Sequence, residues 1–144
     1  MLGFGEAVGL YYRNFFNFQG RASRAEFWWP FLMRAILHTG LIVAFLATID
    51  FGAAEGDEFS EASLGVLVAW LVFYLVNIVP NLSIAARRFH DLGQTGWLVL
   101  VFVILNAVVG LTWFAQMIWF AFPGDVGPNA YGADPFGYDT KVFE

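Results

Sequence analysis

At 144 residues the chain has the length of one domain, yet 59% of it is hydrophobic, 19% aromatic and only 13% charged, with a mean hydropathy of +0.64. Ordinary globular chains are about 45–50% apolar and about 25% charged, and a soluble domain this small lacks the polar surface to cover so much apolar material, so a water-soluble globule is excluded and a bilayer becomes the natural solvent. No cysteine is present, which removes disulfides, thiolate metal sites and cysteine nucleophiles, and the net charge of −5 hides a segregation of charge by sign along the chain.

The first segment, residues 1–19, does not read as a span. Phe4, Val8, Tyr11, Phe15 and Phe18 recur at helical spacing, with Glu6, Arg13 and Asn17 on the other side. This pattern suits an amphipathic helix lying in the membrane interface. It equally suits a helix packed on the end of a bundle. The opening MLGFGEAVG lacks a basic stretch followed by an apolar core, so no cleavable signal peptide is expected and the first span serves for targeting.

Next comes GRASRAEFW, residues 20–28. Ser23 and Glu26 fit the S-x-x-E capping box, in which the serine hydroxyl accepts from the Glu26 N–H and the carboxylate reaches back to the Ser23 N–H. Gly20 breaks the chain before this cap, and Trp28 and Trp29 suit headgroup depth. Arg21 and Arg24 are left as topology signals or as donors to an anion, the nearest being lipid phosphate.

Three apolar runs follow: Phe27–Ile49 and Leu64–Ala86, 23 residues each, and Trp97–Phe122, 26 residues. A span needs about 20. The expected organisation is a first transmembrane helix over 24–49, an acidic linker over 50–63, a second helix over 64–86 and a basic loop over 87–96. The third apolar segment covers 97–122, and a Gly/Pro/Asp-rich loop tail covers 123–144. The third segment is simplest as one tilted span, because a single helix satisfies its own backbone. Asn106, Gly110 and Thr112 near its middle leave a re-entrant hairpin open, with each half too short to cross alone. The expected fold class is therefore all-α and integral to the membrane. An amphipathic N-terminal helix joins a bundle of three transmembrane helices, or four if the last segment is a hairpin.

Arginines set the orientation. Arg13, Arg21, Arg24, Arg87 and Arg88 lie before the first span or between the second and third, whereas the first linker has no basic residue and the tail only Lys141. The N-terminus and the 87–96 loop are expected to be cytoplasmic, and the acidic linker external. A single third span would put the tail outside as well.

Within the spans, Arg34, His38, Asn77, Asn81 and Asn106 fall at similar depth and could form one polar layer. Such a layer is either a functional path or interhelical glue, and without a carboxylate it favours glue. No nucleophile elbow, zinc-protease or phosphate-loop motif is present. His90 and Asp91, adjacent on a helix, point in different directions and make no ready dyad. Arg87 and Arg88 suit a helix C-terminus, with Asp91 pairing with one of them. Asp125, Asn129 and Asp134 in the tail suit Asx-type turns better than a calcium site. No cofactor or metal is expected. The expected function is that of a non-enzymatic membrane component binding an anionic lipid headgroup or a partner protein at its cytoplasmic face. The alternatives are a subunit of an oligomeric transporter or channel using the polar layer, and then an enzyme acting on lipid headgroups through His90.

GRASRAEFW, AARRFHDLGQTGW and FPGDVGPNAYGADP, in this order, resemble the domain of unknown function 805 family of small bacterial inner-membrane proteins. The matching positions are Phe18, Gly20, Arg21, Arg24, Glu26, Phe27 and Trp28; then Arg87, Arg88, His90, Asp91, Gly96 and Trp97; then Pro123, Gly124, Gly127, Asn129, Tyr131, Gly132, Asp134 and Pro135. The acidic linker and the residues after Pro135 fall outside the pattern. The resemblance implies a multi-pass inner-membrane protein and no particular activity. If the motifs reflect one site, Arg21, Arg24, Glu26, Arg87, Arg88, His90 and Asp91 are its candidates for an anion or lipid headgroup, and the tail joins them only in the hairpin arrangement. The expected partners are the lipid bilayer and anionic phospholipids, with a homo-oligomer or membrane-protein partner as a further class. No nucleic acid is expected.

Overall fold

The computed structural model describes residues 2–49, 60–135 and 137. Five α-helices fall within these residues: α1 (Phe4–Arg13), α2 (Arg24–Ala47), α3 (Glu61–Asp91), α4 (Leu98–Val109) and α5 (Thr112–Ala121). The all-α class follows from the long apolar runs. Most of the acidic linker, residues 50–59, and the end of the tail, residues 136 and 138–144, lie outside the described residues.

Both halves of the capping box form at the start of α2. The Ser23 N–H donates to Glu26 Oε1 at 3.2 Å, and the Glu26 N–H donates to Ser23 Oγ at 3.3 Å. In both α2 and α3 only 11% of the most apolar 18-residue window is buried. A core helix of a soluble protein would bury most of that window, and both helices are long and apolar enough to cross a membrane.

The α3 helix departs from expectation at its end. It continues through Arg87, Arg88, Phe89, His90 and Asp91, which read as the start of a loop, because these side chains find partners within the protein. It closes after Asp91 in a Schellman motif, with Gln94 N–H donating to Phe89 O at 2.9 Å and Gly93 N–H to His90 O at 3.1 Å.

The third apolar segment is a hairpin of helices, not one tilted span. Gly110 adopts φ +77°, a left-handed conformation costly to a residue with a Cβ, and its N–H closes α4 onto Asn106 O at 2.9 Å. The α5 helix then returns beside α4. Phe89 makes ring contacts with Phe102 of α4 at 5.7 Å and with Trp119 and Phe120 of α5 at 5.6 and 4.7 Å. The single-helix expectation rested on backbone self-satisfaction, and two short helices meet that demand equally well once the turn is capped.

By packing, the chain divides into two compact units, Met1–Pro30 with Val79–Glu144, and Phe31–Ile78. The first holds the buried apolar core, including Tyr11, Phe27, Ile84, Phe89 and Phe120. There Ala7 and Tyr11 form the buried side of α1, and Ser83 Oγ reaches the carbonyls of Asn14 and Asn17 at 2.8 and 2.6 Å. That arrangement is the packed version of the amphipathic helix, with Phe4, Tyr12, Phe16 and Phe18 left exposed. In the second unit Ser63 Oγ donates to Thr48 O at 2.9 Å.

Candidate functional site

Asp91, 1% exposed at the end of α3, sits between two arginines in the first unit. Arg21 Nε donates to its Oδ1 at 2.9 Å, and Arg88 Nη1 donates to its Oδ2. The Asp91 carboxylate is thus buried between the guanidiniums of Arg88 and Arg21. Both arginines extend the network into backbone. Arg88 donates from Nε and Nη2 to Phe120 O at 3.2 and 3.0 Å, from Nη1 to Ala22 O at 3.3 Å, and from Nη2 to Phe122 O. The carbonyls at the end of α5 thus gain a charged partner in place of the intrahelical N–H they lack. Arg21 donates to the carbonyls of Asp125 and Gly127 in the tail.

The tail closes over this pair. Asp125 N–H donates to Asp91 O at 2.7 Å, and a Cβ at Gly124 would overlap the Asp91 carboxylate, so the chain can pass here only as glycine. Asn129 Nδ2 donates to His90 O at 2.9 Å while its Oδ1 accepts from the Tyr131 N–H at 2.9 Å. Gly127 N–H donates to Asp134 Oδ2 at 3.0 Å, and Asn129 and Gly132 exchange backbone hydrogen bonds. These Asp and Asn side chains organise turns, as their spacing suggests. Among the described residues no cluster of three or more acidic or histidine side chains is placed to hold a metal.

Arg87 sits differently. It is 4% exposed, its Nη1 lies 3.5 Å from Glu26 Oε2, and among the described residues its Nε and Nη2 have no hydrogen-bond acceptor. The guanidinium stays charged. Arg24 is exposed on the first turn of α2. His90 turns away from Asp91: its Nδ1 meets Gly20 O at 2.9 Å, and its ring stacks on Tyr131 at 4.0 Å and 6°.

Of the seven surface candidates, Arg21, Arg88 and Asp91 are therefore joined in one network, Glu26 pairs with Arg87, and Arg24 and His90 stand outside the Asp91 contacts. The sequence reading missed the backbone carbonyls of Phe120, Phe122, Asp125 and Gly127 and the ring of Tyr131. Their signal was the third motif itself, read as a tail on the far side of a span.

The five candidates for a polar layer fall in both units. In the second, His38 Nδ1 accepts from Trp70 Nε1–H at 3.0 Å and Asn77 Nδ2 returns to its own helix at Phe73 O, 2.8 Å. Arg34 is buried there. In the first, Asn81 and Asn106 are exposed, and Asn106 Oδ1 accepts from Thr112 Oγ1 at 3.5 Å across the α4–α5 turn. The His38 contact joins α2 to α3 and the Asn106 contact joins α4 to the start of α5, whereas the Asn77 contact stays within α3.

The family model described as protein of unknown function (DUF805) matches residues 15–133, which include all three motifs up to Gly132. Among curated proteins, the chain is 31% identical over 126 residues to the inner membrane protein YhaI of Escherichia coli strain K12, covering 85% of this chain and 89% of that one. It is 27% identical over 123 residues to the inner membrane protein YhaH of the same strain, covering 85% and 90%. No solved structure matches the chain.

Proposed function

Because this chain belongs to the DUF805 family, a membrane-protein family with inner-membrane relatives, we propose that it is a multi-pass inner-membrane protein that binds the phosphate of an anionic lipid headgroup at its cytoplasmic face. In this reading α2 and α3 cross the bilayer with the N-terminus in the cytoplasm. The α4 and α5 helices, 12 and 10 residues long, reach about 18 and 15 Å, roughly half of a hydrocarbon core of about 30 Å. They enter together and return, which leaves the tail on the side of Arg21 and Asp91.

The observation that carries the ligand is Arg87. A buried donor without an acceptor costs about 1–3 kcal/mol, and more when charged. Phosphate oxygens match the fork of a guanidinium, and Nε with Nη2 is one of its two-donor edges. Glu26, itself fixed by the Ser23 cap, holds the opposite side of the group. Arg24 adds positive potential at the surface, where each nearby basic residue contributes about 1 kcal/mol toward an anionic leaflet. Arg21, Arg88 and Asp91 have their polar atoms committed to each other and to backbone, and serve as the frame.

The test uses native mass spectrometry of protein released from nanodiscs of phosphatidylglycerol and phosphatidylethanolamine. Arg87→Gln with Arg24→Gln should retain phosphatidylglycerol about tenfold less than the parent, the loss of one charge-assisted contact of about 1.5 kcal/mol or more. Added phosphatidylglycerol should raise the melting temperature of the parent and leave the variant unmoved. Equal retention and equal stabilisation in both proteins would overturn the reading.

A further inference from the structure

On another face of α3, Leu82, Ala86 and His90 follow one another at four-residue spacing and line a cavity of about 590 Å³. Phe18, Val99 and Leu100 add apolar wall, and Trp97 and Leu100 are 71% and 46% exposed, so the cavity meets the apolar exterior of the helices. This volume falls in the range of small-molecule sites, about 300–1,000 Å³. His90 gives it a polar point. A carbonyl oxygen can only accept, so the contact with Gly20 O requires the proton on Nδ1 and leaves Nε2 of the neutral ring with a free lone pair. Stacking on Tyr131 fixes the ring plane. A Cβ built on Gly96 would stand 2.7 Å from Nε2, so only glycine leaves that space open, and both His90 and Gly96 line the cavity. Among the described residues Nε2 makes no hydrogen bond.

We propose that this cavity binds a single-chain lipid alcohol, its hydroxyl donating to His90 Nε2 and its chain lying along Leu82, Ala86 and Leu100. The ligand class follows from the site: apolar walls open toward lipid, and one fixed acceptor with no cation beside it to favour a phosphate or carboxylate. The proposal is separate from the anion reading, because Arg87 faces Glu26 and does not line this cavity.

The probe is a monoacylglycerol carrying a diazirine in its chain, photolysed with the full-length protein in nanodiscs and mapped by peptide mass spectrometry. Adducts should concentrate on the peptides containing Leu82, Trp97 and Leu100. Excess unlabelled monoacylglycerol should compete them away, and the fatty-acid methyl ester, which has no hydroxyl, should not. His90→Phe keeps an aromatic ring against Tyr131 and removes the acceptor, and it should weaken competition about 2- to 10-fold. Leu100→Trp fills the cavity from its exposed rim with His90 intact and should abolish the competed adducts. Labelling spread evenly over the exposed faces of α2 and α3 and insensitive to competitor, or equal competition by the methyl ester, would overturn the proposal.

Discussion

Asp91 links the two arginines through which three segments of the first unit are joined. It is shared by Arg21 and Arg88, and those two arginines hold the segment before α2, the end of α5 and the start of the tail. Removing one partner of a buried ion pair leaves an uncompensated charge, at a cost of about 3–5 kcal/mol. Asp91→Asn keeps the shape and loses the charge opposite two guanidiniums. It should therefore lower the melting temperature in mild detergent far more than Glu26→Gln, whose partner Arg87 is held by a single contact of 3.5 Å. Comparable small shifts in the two variants would show that the Asp91 network is not what holds the segments together. Part of this was legible. Asp91 was expected to pair with Arg87 or Arg88, and the helix places Arg88 and Asp91 three residues apart on one face. The Arg21 contact, 70 residues away in sequence, had no local signal. Nor did the burial of Arg88, since cations at a helix C-terminus are ordinarily solvated.

Among the elements, the α4–α5 hairpin decides the most. Its halves are apolar enough to be read as one span, and Asn106, Gly110 and Thr112 were the only marks of a break. What selects the hairpin is tertiary: Arg88 caps the end of α5, and Phe89 packs between Phe102 and Trp119. Neither contact has a sequence period. Gly110 is where the two readings can be separated by mutation. A β-branched residue at φ +77° costs about 1–2 kcal/mol, and Gly110→Val should reduce stability by that amount in an SDS titration. No loss would mean that the turn does not need its left-handed residue. The apolar bodies of α2 and α3 were legible from length alone, and the start of α2 from the Ser23–Glu26 cap. The end of α3 was not, because Arg87–Asp91, which look like a polar loop, are helix, with all but the half-buried His90 buried.

For the whole molecule, the hairpin converts three separate motifs into one assembly. Arg21 and Ala22 come from the first, Arg88, His90 and Asp91 from the second, and Gly124, Asp125, Gly127, Asn129 and Tyr131 from the third. A tail beyond a complete third span would stand across the bilayer from Arg21 and could make none of these contacts. The assembly of the three motifs therefore depends on topology, and the absence of cysteine makes that topology directly testable. Single cysteines at Gln19, Ser60 and Val126, all exposed, would be labelled with a membrane-impermeant maleimide in spheroplasts and in inverted vesicles. Gln19→Cys and Val126→Cys should react only in inverted vesicles, and Ser60→Cys only in spheroplasts. Reaction of Val126→Cys on the same side as Ser60→Cys would contradict the hairpin topology and separate the third motif from the other two.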